Sequence, residues 1–268
     1  MRTTFLFSIL LFFTLAIYAQ EEYWESYIVQ KEKGPMAISV HMKYKYARPN
    51  YKNLLIVGTH TTKCNKNGYP TEQGLEKMYT FSDSIANIID GLTKNRLVGI
   101  ITYQCSGFDI FYVKDTLNLR NDIISFIKDK YANSKNYFQL ESDRKWKYYL
   151  ESLYPEDDSE EFFINHELLT SLVYAGDKLT TPRKVTHWFY FYREKHRKKF
   201  IDKIKALEFT VDSLNFRRKR ENKYELQVSR KDSIYPKAIS KLTKILTDFG
   251  KLLRAEYDGW NAELIKED

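Results

Sequence analysis

Cysteine is scarce in this chain of 268 residues, which contains only Cys64 and Cys105. So few thiols exclude a disulfide-dense miniprotein and a zinc site built from four cysteines. Glycine and proline are also sparse, at ten and six residues, which excludes collagen and low-complexity polymers. Because 43% of the residues are hydrophobic, the chain has enough apolar side chains for real cores and is not a disordered tail.

The sequence also lacks the short motifs that identify common enzyme classes. It contains no glycine-rich phosphate-binding loop, no Cys-x-x-Cys pair and no Gly-x-Ser-x-Gly nucleophile motif. His166-Glu167 begins like a zinc-protease helix, but Thr170 stands where the second metal-binding histidine is needed. The sequence therefore predicts no metal site, no cofactor and no catalysis of its own.

Long apolar runs are absent except near the N-terminus, where residues 5–18 are apolar and follow Arg2. A basic start, a short apolar core and a small residue at its end, Ala19, are typical of a secretory signal. A membrane anchor needs about 20 apolar residues, so this run is short for a span. We expect a signal peptide at 1–19, cleavage after Ala19, and a periplasmic or secreted mature protein without a stable membrane span. A membrane tether by an uncleaved signal is the alternative.

Segments with strand-like and helix-like hydrophobic periodicity alternate through the rest of the chain. From Lys184 onward their order is strand, helix, strand, strand, helix and strand, with the closing strand at 260–265. This is the split βαβ arrangement of a ferredoxin-like sandwich. The first half shows a similar alternation after an extra hairpin at 24–46. The sequence predicts an α+β protein of two ferredoxin-like sandwich domains with antiparallel sheets.

A proline and a run of acidic residues separate the two halves. Pro155 precedes residues 156–161, which contain five carboxylates and one serine. Since a proline followed by like charges resists packing, this segment predicts an acidic linker. The expected domains are residues 20–155 and 162–268.

Three strings in the second half are specific enough to suggest a family. They are Ala-Gly-Asp at 175–177, Pro-Arg-Lys-Val-Thr-His-Trp-Phe-Tyr-Phe at 182–191 and Glu-Tyr-Asp-Gly-Trp at 256–260. On these strings, the second half resembles the family called regulator of ribonuclease E activity B. The resemblance implies a ferredoxin-like protein that inhibits ribonuclease E by binding it and has no activity of its own. Since ribonuclease E is cytoplasmic and this chain is expected to be exported, we carry over the fold and the binding mode but not the target.

The first half is similar to a bacterial domain family of unknown function, number 695. The matching features are Trp24, the Asn-Gly-Tyr-Pro turn at 67–70, Asp143 with Trp146 and Tyr149, and Leu-Tyr-Pro at 153–155. This resemblance implies no activity for the first half.

The leading functional hypothesis is regulation or inhibition of an unidentified extracytoplasmic protein through binding. In a ferredoxin-like sheet the closing strand pairs with the first strand, which would place residues 256–260 beside residues 184–192. The closing strand is also an edge that can accept a partner's strand, and Trp and Tyr often anchor interfaces. The candidate binding residues are His187, Trp188, Glu256, Tyr257, Asp258 and Trp260. The alternative is that Trp188 and Trp260 are core residues.

A hydrolase is the second hypothesis. His187 could act as a general base with Asp177 or Asp258, if these groups come within hydrogen-bonding distance. The alternative is that both aspartates set turns and that His187 packs inside its strand.

A basic block supplies the third hypothesis. Residues 183–254 contain 21 Lys or Arg and 8 Asp or Glu. Such an excess can hold an anionic polymer or nucleic acid, although the RNA-binding consensus is missing and we expect no nucleic-acid partner. The candidate patch comprises Arg193, Arg197, Lys198, Arg217, Arg218 and Arg220, and its alternative is a solvated outer face.

The two cysteines lie near the ends of predicted strands. Export would allow Cys64 and Cys105 to pair, and a bridge could stabilise the fold by up to about 4 kcal/mol through loop closure. Two free thiols beyond bonding range are the alternative, and the sequence does not decide between them.

Overall fold

The computed structural model describes residues 23–266, which form an α+β protein with two antiparallel sheets. The predicted signal peptide at 1–19 lies outside the described residues. The strands are β1 (Trp24–Lys31), β2 (Gly34–His41), β3 (Asn53–His60), β4 (Asn95–Tyr103), β5 (Ser106–Val113), β6 (Asn136–Ser142), β7 (Arg183–Phe191), β8 (Thr210–Phe216), β9 (Tyr224–Asp232) and β10 (Ala255–Ala262). The α-helices are α1 (Glu72–Leu92), α2 (Leu119–Lys130), α3 (Glu160–Tyr174), α4 (Glu194–Lys205) and α5 (Pro236–Leu252).

The first sheet has six strands in the order β1-β2-β4-β5-β3-β6. Strands β3 to β6 with α1 and α2 form a split βαβ unit, and the hairpin β1–β2 extends it beside β4. Strand β3 is buried on both faces. Leu55 and Val57 pack with the residues of α1 and α2, whereas Leu54 and Ile56 pack with the segment 146–153. Because both faces are covered, this strand is an uninterrupted apolar run rather than an alternating one.

The second sheet has the order β10-β7-β9-β8, and α4 and α5 cover one of its faces. The order places the closing strand next to the first, as the ferredoxin-like arrangement requires. Phe189 on β7 packs with Phe200 of α4 and Leu246 of α5. The predicted fold of two ferredoxin-like sandwiches is thus confirmed.

The closing strand differs from its predicted bounds. Residues 260–265 were expected to form it, but β10 spans Ala255–Ala262 and therefore includes the whole string at 256–260. A bulge lies between Tyr257 and Gly259, and Gly259 has a φ of 108°. Glycine takes this positive φ without steric cost, so it keeps β10 paired with β7 on both sides of the bulge.

Helix α3 joins the two sandwiches. Its first residue, Glu160, falls inside the predicted acidic linker because the Ser159 hydroxyl accepts a hydrogen bond from the Phe162 N–H and caps the helix. Leu169 and Leu172 of α3 share one hydrophobic cluster with Ile28 of β1. Helix α3 therefore packs the second half of the chain against β1, the edge strand of the first sheet. Among residues 23–266, no helix is both long and apolar enough to cross a membrane.

Candidate interaction surface on the second sheet

The string at 256–260 does lie beside β7. The register pairs Glu256 with Tyr190, Tyr257 with Phe189, and Trp260 with His187. Side chains of neighbouring strands at paired positions point to the same face of a sheet. The strand pairing consequently divides the six candidate binding residues between the two faces of the second sheet.

His187 and Tyr257 lie on the face that α4 and α5 cover. His187 has no exposed surface, and its Nδ1 is 2.9 Å from the Tyr257 hydroxyl. Its Nε2 is buried without a hydrogen-bond partner among the described residues. Burial, together with the nearby charge of Arg230, lowers the pKa of His187 to about 3. Burial also raises the pKa of Tyr257. His187 is thus a neutral core histidine.

Trp260 is buried on the same face. Its indole Nε1 donates to Asn165 Oδ1 of α3 at 2.8 Å, and Asn165 Nδ2 donates to Thr243 Oγ1 of α5 at 2.9 Å. This chain of hydrogen bonds ties β10 to two helices. The structure therefore places His187 and Trp260 in the core, because strand pairing turns them inward, and not on an accessible surface.

Trp188, Glu256 and Asp258 lie on the other face. Trp188 is half-buried, and both carboxylates are exposed. Arg220 joins this group: its Nη2 is 2.8 Å from Glu256 Oε1 and 3.7 Å from Asp258 Oδ1. Its guanidinium also stacks 3.8 Å from the centre of the Tyr190 ring. We name this group, Trp188, Tyr190, Arg220, Glu256 and Asp258, the β7–β10 surface; within it Tyr190 is buried, and Arg220 stacks on its ring.

The predicted basic patch is divided as well. Arg197 is buried, and its Nη1 donates to the backbone oxygens of Asn215 and Glu225 at 3.0 and 2.9 Å. This arginine ties α4 to the hairpin β8–β9 and does not belong to an accessible patch, because the helix turns it toward the sheet. Arg217 is paired with the Glu225 carboxylate, and this pairing lowers the pKa of Glu225.

The other patch residues are more accessible. Arg193, Lys198 and Arg218 are exposed, and Lys198 Nζ lies 3.5 Å from Glu194. The six predicted patch residues therefore do not form one accessible group, since Arg197 is buried and carboxylates pair with Lys198, Arg217 and Arg220.

The groups of the hydrolase hypothesis are not assembled. Asp177 is buried and accepts hydrogen bonds from the Arg183 guanidinium and from the N–H groups of Leu179 and Ile265. This pairing anchors the turn before β7. His187 instead bonds to Tyr257, so neither aspartate serves as its partner. Within the described part of the chain, no three His, Cys, Asp or Glu side chains cluster as metal ligands.

Cys64 and Cys105 are joined as a disulfide, with their Cα atoms 5.8 Å apart. Cys105 lies in the turn between β4 and β5, and Cys64 follows β3. Backbone hydrogen bonds also hold the turn at Cys105 next to the segment that contains Cys64. Thr61 N donates to Cys105 O, and Cys105 N donates to Gly68 O, each at 2.8 Å.

Sequence reasoning missed Asn165 and Thr243, which anchor Trp260. A signal was present for Asn165, which falls at helical spacing from Leu169 and Leu172 on the apolar stripe of α3. A polar residue on an apolar helix face requires a buried hydrogen-bond partner. Nothing in the sequence showed that this partner would be a tryptophan 95 positions away.

The fold and the β7–β10 surface define a two-sandwich α+β protein in which the helices of residues 23–266 pack on the face of the second sheet opposite this surface. Residues 164–262 match the family described as regulator of ribonuclease activity B. Residues 22–154 match the family of unknown function DUF695. Both resemblances inferred from the sequence are thereby confirmed.

Comparison with other proteins adds two distant similarities. No curated protein matches the chain. One similar solved structure is provisionally described as a glycine cleavage system transcriptional repressor, with 8% identity, a TM-score of 0.25, and 80% of this chain and 100% of that chain covered. Another is an unknown protein from Galdieria sulphuraria, with 8% identity, a TM-score of 0.22, and 79% of this chain and 98% of that chain covered.

Proposed function

We propose that this protein is an exported, non-catalytic regulator that acts by binding another extracytoplasmic protein. The observation that carries the proposal is the match of residues 164–262 to a family of regulators. The state of His187 supports it, since this histidine is sealed in the core and bonded to Tyr257 rather than placed beside a carboxylate.

The β7–β10 surface is the region that we propose contacts the partner. Arg220 holds Glu256 and Asp258 in place and stacks on Tyr190, so a partner would meet groups that are already ordered. Preordered side chains reduce the entropy that is lost on association, and Arg, Trp and Tyr are the residues most often found at the energetic centre of interfaces.

Affinity capture from extracytoplasmic extract tests the proposal, with residues 20–268 as bait. We expect Trp188→Ala and Arg220→Ala to lose a partner that the wild type retains, with little change in melting temperature. Lys203→Ala is the matched control because Lys203 is an exposed cation on α4, on the opposite side of the second sheet. Capture that is unaffected by both surface variants, or no specific capture at all, would contradict the proposal.

Export is tested separately. The mature protein, isolated from the extracytoplasmic fraction of its host, should begin at Gln20. An intact N-terminus in the cytoplasmic fraction would contradict export, and an intact N-terminus in the membrane fraction would indicate a tether.

A further inference from the structure

A groove runs between β1, which is the edge strand of the first sheet, and α3. Its volume is about 720 Å³, and it is open to solvent. Its lining includes Tyr23, Glu25, Ser26, Ile164, Glu167 and Thr170. The groove belongs to both halves of the chain, and it is separate from the β7–β10 surface.

The backbone of β1 can pair with another strand along this groove. Tyr23 O accepts from Met42 N at 2.9 Å, so the odd-numbered residues of β1 bond to β2. In an antiparallel pair the alternate residues direct their N–H and C=O groups away from the partner. Trp24, Ser26 and Ile28 therefore direct theirs to the open edge, where the described residues supply no further strand.

One of these outward groups already donates a hydrogen bond to a group outside the sheet. The N–H of Ile28 donates to His166 Nδ1 of α3 at 3.0 Å. Trp24 and Ser26, whose backbone groups are directed away from β2, are lining residues of the groove. Unpaired backbone groups at an edge are the template to which an extended segment adds.

The walls of the groove indicate the chemistry of such a segment. Glu25 and Glu167 both line the groove. Partial burial and, after it, the charge of Glu167 raise the pKa of Glu25. The Thr170 hydroxyl is shielded from solvent and has no hydrogen-bond partner within residues 23–266. Tyr23 and Ile164 expose more than half of their surface at the rim. The groove thus combines negative charge with apolar contact area at its rim.

We propose that this groove receives an extended, Lys- or Arg-bearing segment of a partner protein, which adds to β1 as a further strand. A cation between Glu25 and Glu167 would relieve the repulsion of their carboxylates. The chain as a whole has 43 basic and 35 acidic residues, so attraction of a basic segment must come from this local acidic region. The inference rests on the proposed function, since it assumes a protein partner, and it adds a second surface.

Ser26→Pro removes the outward N–H and places a ring against the incoming strand. Because the Ser26 N–H does not bond to β2, this proline is compatible with an edge strand. Ser26→Ala is the matched control: it loses the hydroxyl that bonds to Ser39 Oγ but retains the N–H. Glu25→Gln combined with Glu167→Gln tests the charge without altering the backbone.

The probe is a short fluorescent peptide of alternating Lys and Val, and its binding to residues 20–268 is measured by fluorescence anisotropy. We expect Ser26→Pro to weaken binding about tenfold or more, and Ser26→Ala to leave it unchanged. The double Gln variant should also weaken binding and reduce its dependence on salt. A peptide with N-methylated backbone should fail to bind the wild type, which tests strand addition without any change in the protein.

Three results would overturn the inference. The first is that Ser26→Pro and Ser26→Ala bind the Lys and Val peptide with equal affinity, and the second is that the wild type binds an alternating Glu and Val peptide as well as the Lys and Val peptide. The third is that the wild type sediments as a dimer and that Ser26→Pro abolishes this dimer. The last result would show that a second copy of the chain fills the groove. The peptide assay and the capture experiment test different surfaces. If the peptide result contradicts this inference, capture through the β7–β10 surface can still succeed, so failure of this inference and failure of the proposed function are distinguishable.

Discussion

The Nδ1 of His187 and the hydroxyl of Tyr257 lie 2.9 Å apart across β7 and β10. This contact joins two residues of the strings that carry the family resemblance. It lies under the helices, against Phe189 and Phe209. The recognisable pattern therefore includes residues that hold the sheet together, in addition to those of the β7–β10 surface.

Replacing Tyr257 by Phe should destabilise the fold by about 1–3 kcal/mol, because it leaves the buried Nδ1 of His187 without a partner. Chemical denaturation measures the change. Tyr192→Phe is the control, since Tyr192 is 58% exposed at the end of the same strand as His187. Equal unfolding midpoints for the two variants would show that the hydrogen bond contributes nothing.

Acid should weaken the fold through its two buried histidines. Burial lowers the pKa of His187 to about 3 and that of His166 to about 4, from the ordinary 6.5. Since both folded values lie below the unfolded value, the stability that the neutral forms supply is present above pH 6.5 and is lost as the pH falls toward 4.

The expected slope is about 1.4 kcal/mol per pH unit for each histidine in this window. His166→Gln remains neutral at every pH, so it should remove about half of the slope. Guanidinium unfolding at several pH values checks this. A variant with the wild-type slope would mean that His166 titrates equally in the folded and unfolded states.

Replacing Asp109 by Asn should stabilise the protein near neutral pH. Asp109 is buried beneath α1, where burial raises its pKa from 3.8 to about 6 and Ser82 Oγ donates to it at 2.6 Å. A raised folded pKa favours folding below pH 3.8, and this contribution is lost as the pH rises through 6.

The gain for Asp109→Asn should be up to about 3 kcal/mol at pH 7.5 and near zero at about pH 4. Denaturation at both pH values measures it. Asp129→Asn is the exposed control and should change little at either pH. A loss of stability at pH 7.5 would show that the ionised carboxylate is required.

Denatured, unreduced mature protein should show no free thiol, because Cys64 and Cys105 are bonded. Cys64→Ser should lower stability by up to about 4 kcal/mol, through loss of the closed loop. The double variant Cys64→Ser with Cys105→Ser should match the single one, since either change breaks the same bond. Two reactive thiols in the wild type would contradict the pairing.

Cleavage in the proposed linker at 156–161 should leave the two fragments associated. The reason is that Leu169 and Trp260 share a cluster with Ile28 of the first half. A glutamate-directed protease followed by size-exclusion chromatography measures this, and Ile28→Asp should release the fragments. Fragments that separate without that substitution would show that the shared cluster is weak.

The order of strands and helices was predictable because hydrophobic periodicity is a local property of the chain. The buried strand at 54–57, the crossover helices and the split βαβ order of the second half all follow from spacing within short windows. The two-sandwich fold could therefore be inferred from the sequence, and the short strings quoted above carried the resemblance to two families; both are confirmed.

Which face each site residue occupies was decided by tertiary structure. A regular strand would place Tyr257 and Trp260 on opposite faces, because they are three positions apart. The bulge at Asp258 adds one residue, so both register with inward-facing residues of β7. Bulges depend on pairing with a neighbouring strand, and no periodicity in a single strand records them.

The sequence by itself determined the elements and their order, since each shows as a hydrophobic periodicity within a short window of the chain. Only the tertiary structure decided that Arg220 meets Glu256, that Trp260 meets Asn165, and that α3 forms a groove with β1. These contacts join residues that lie far apart in sequence. Their formation depends on how strands and helices pack in three dimensions, and no local pattern of residues encodes it.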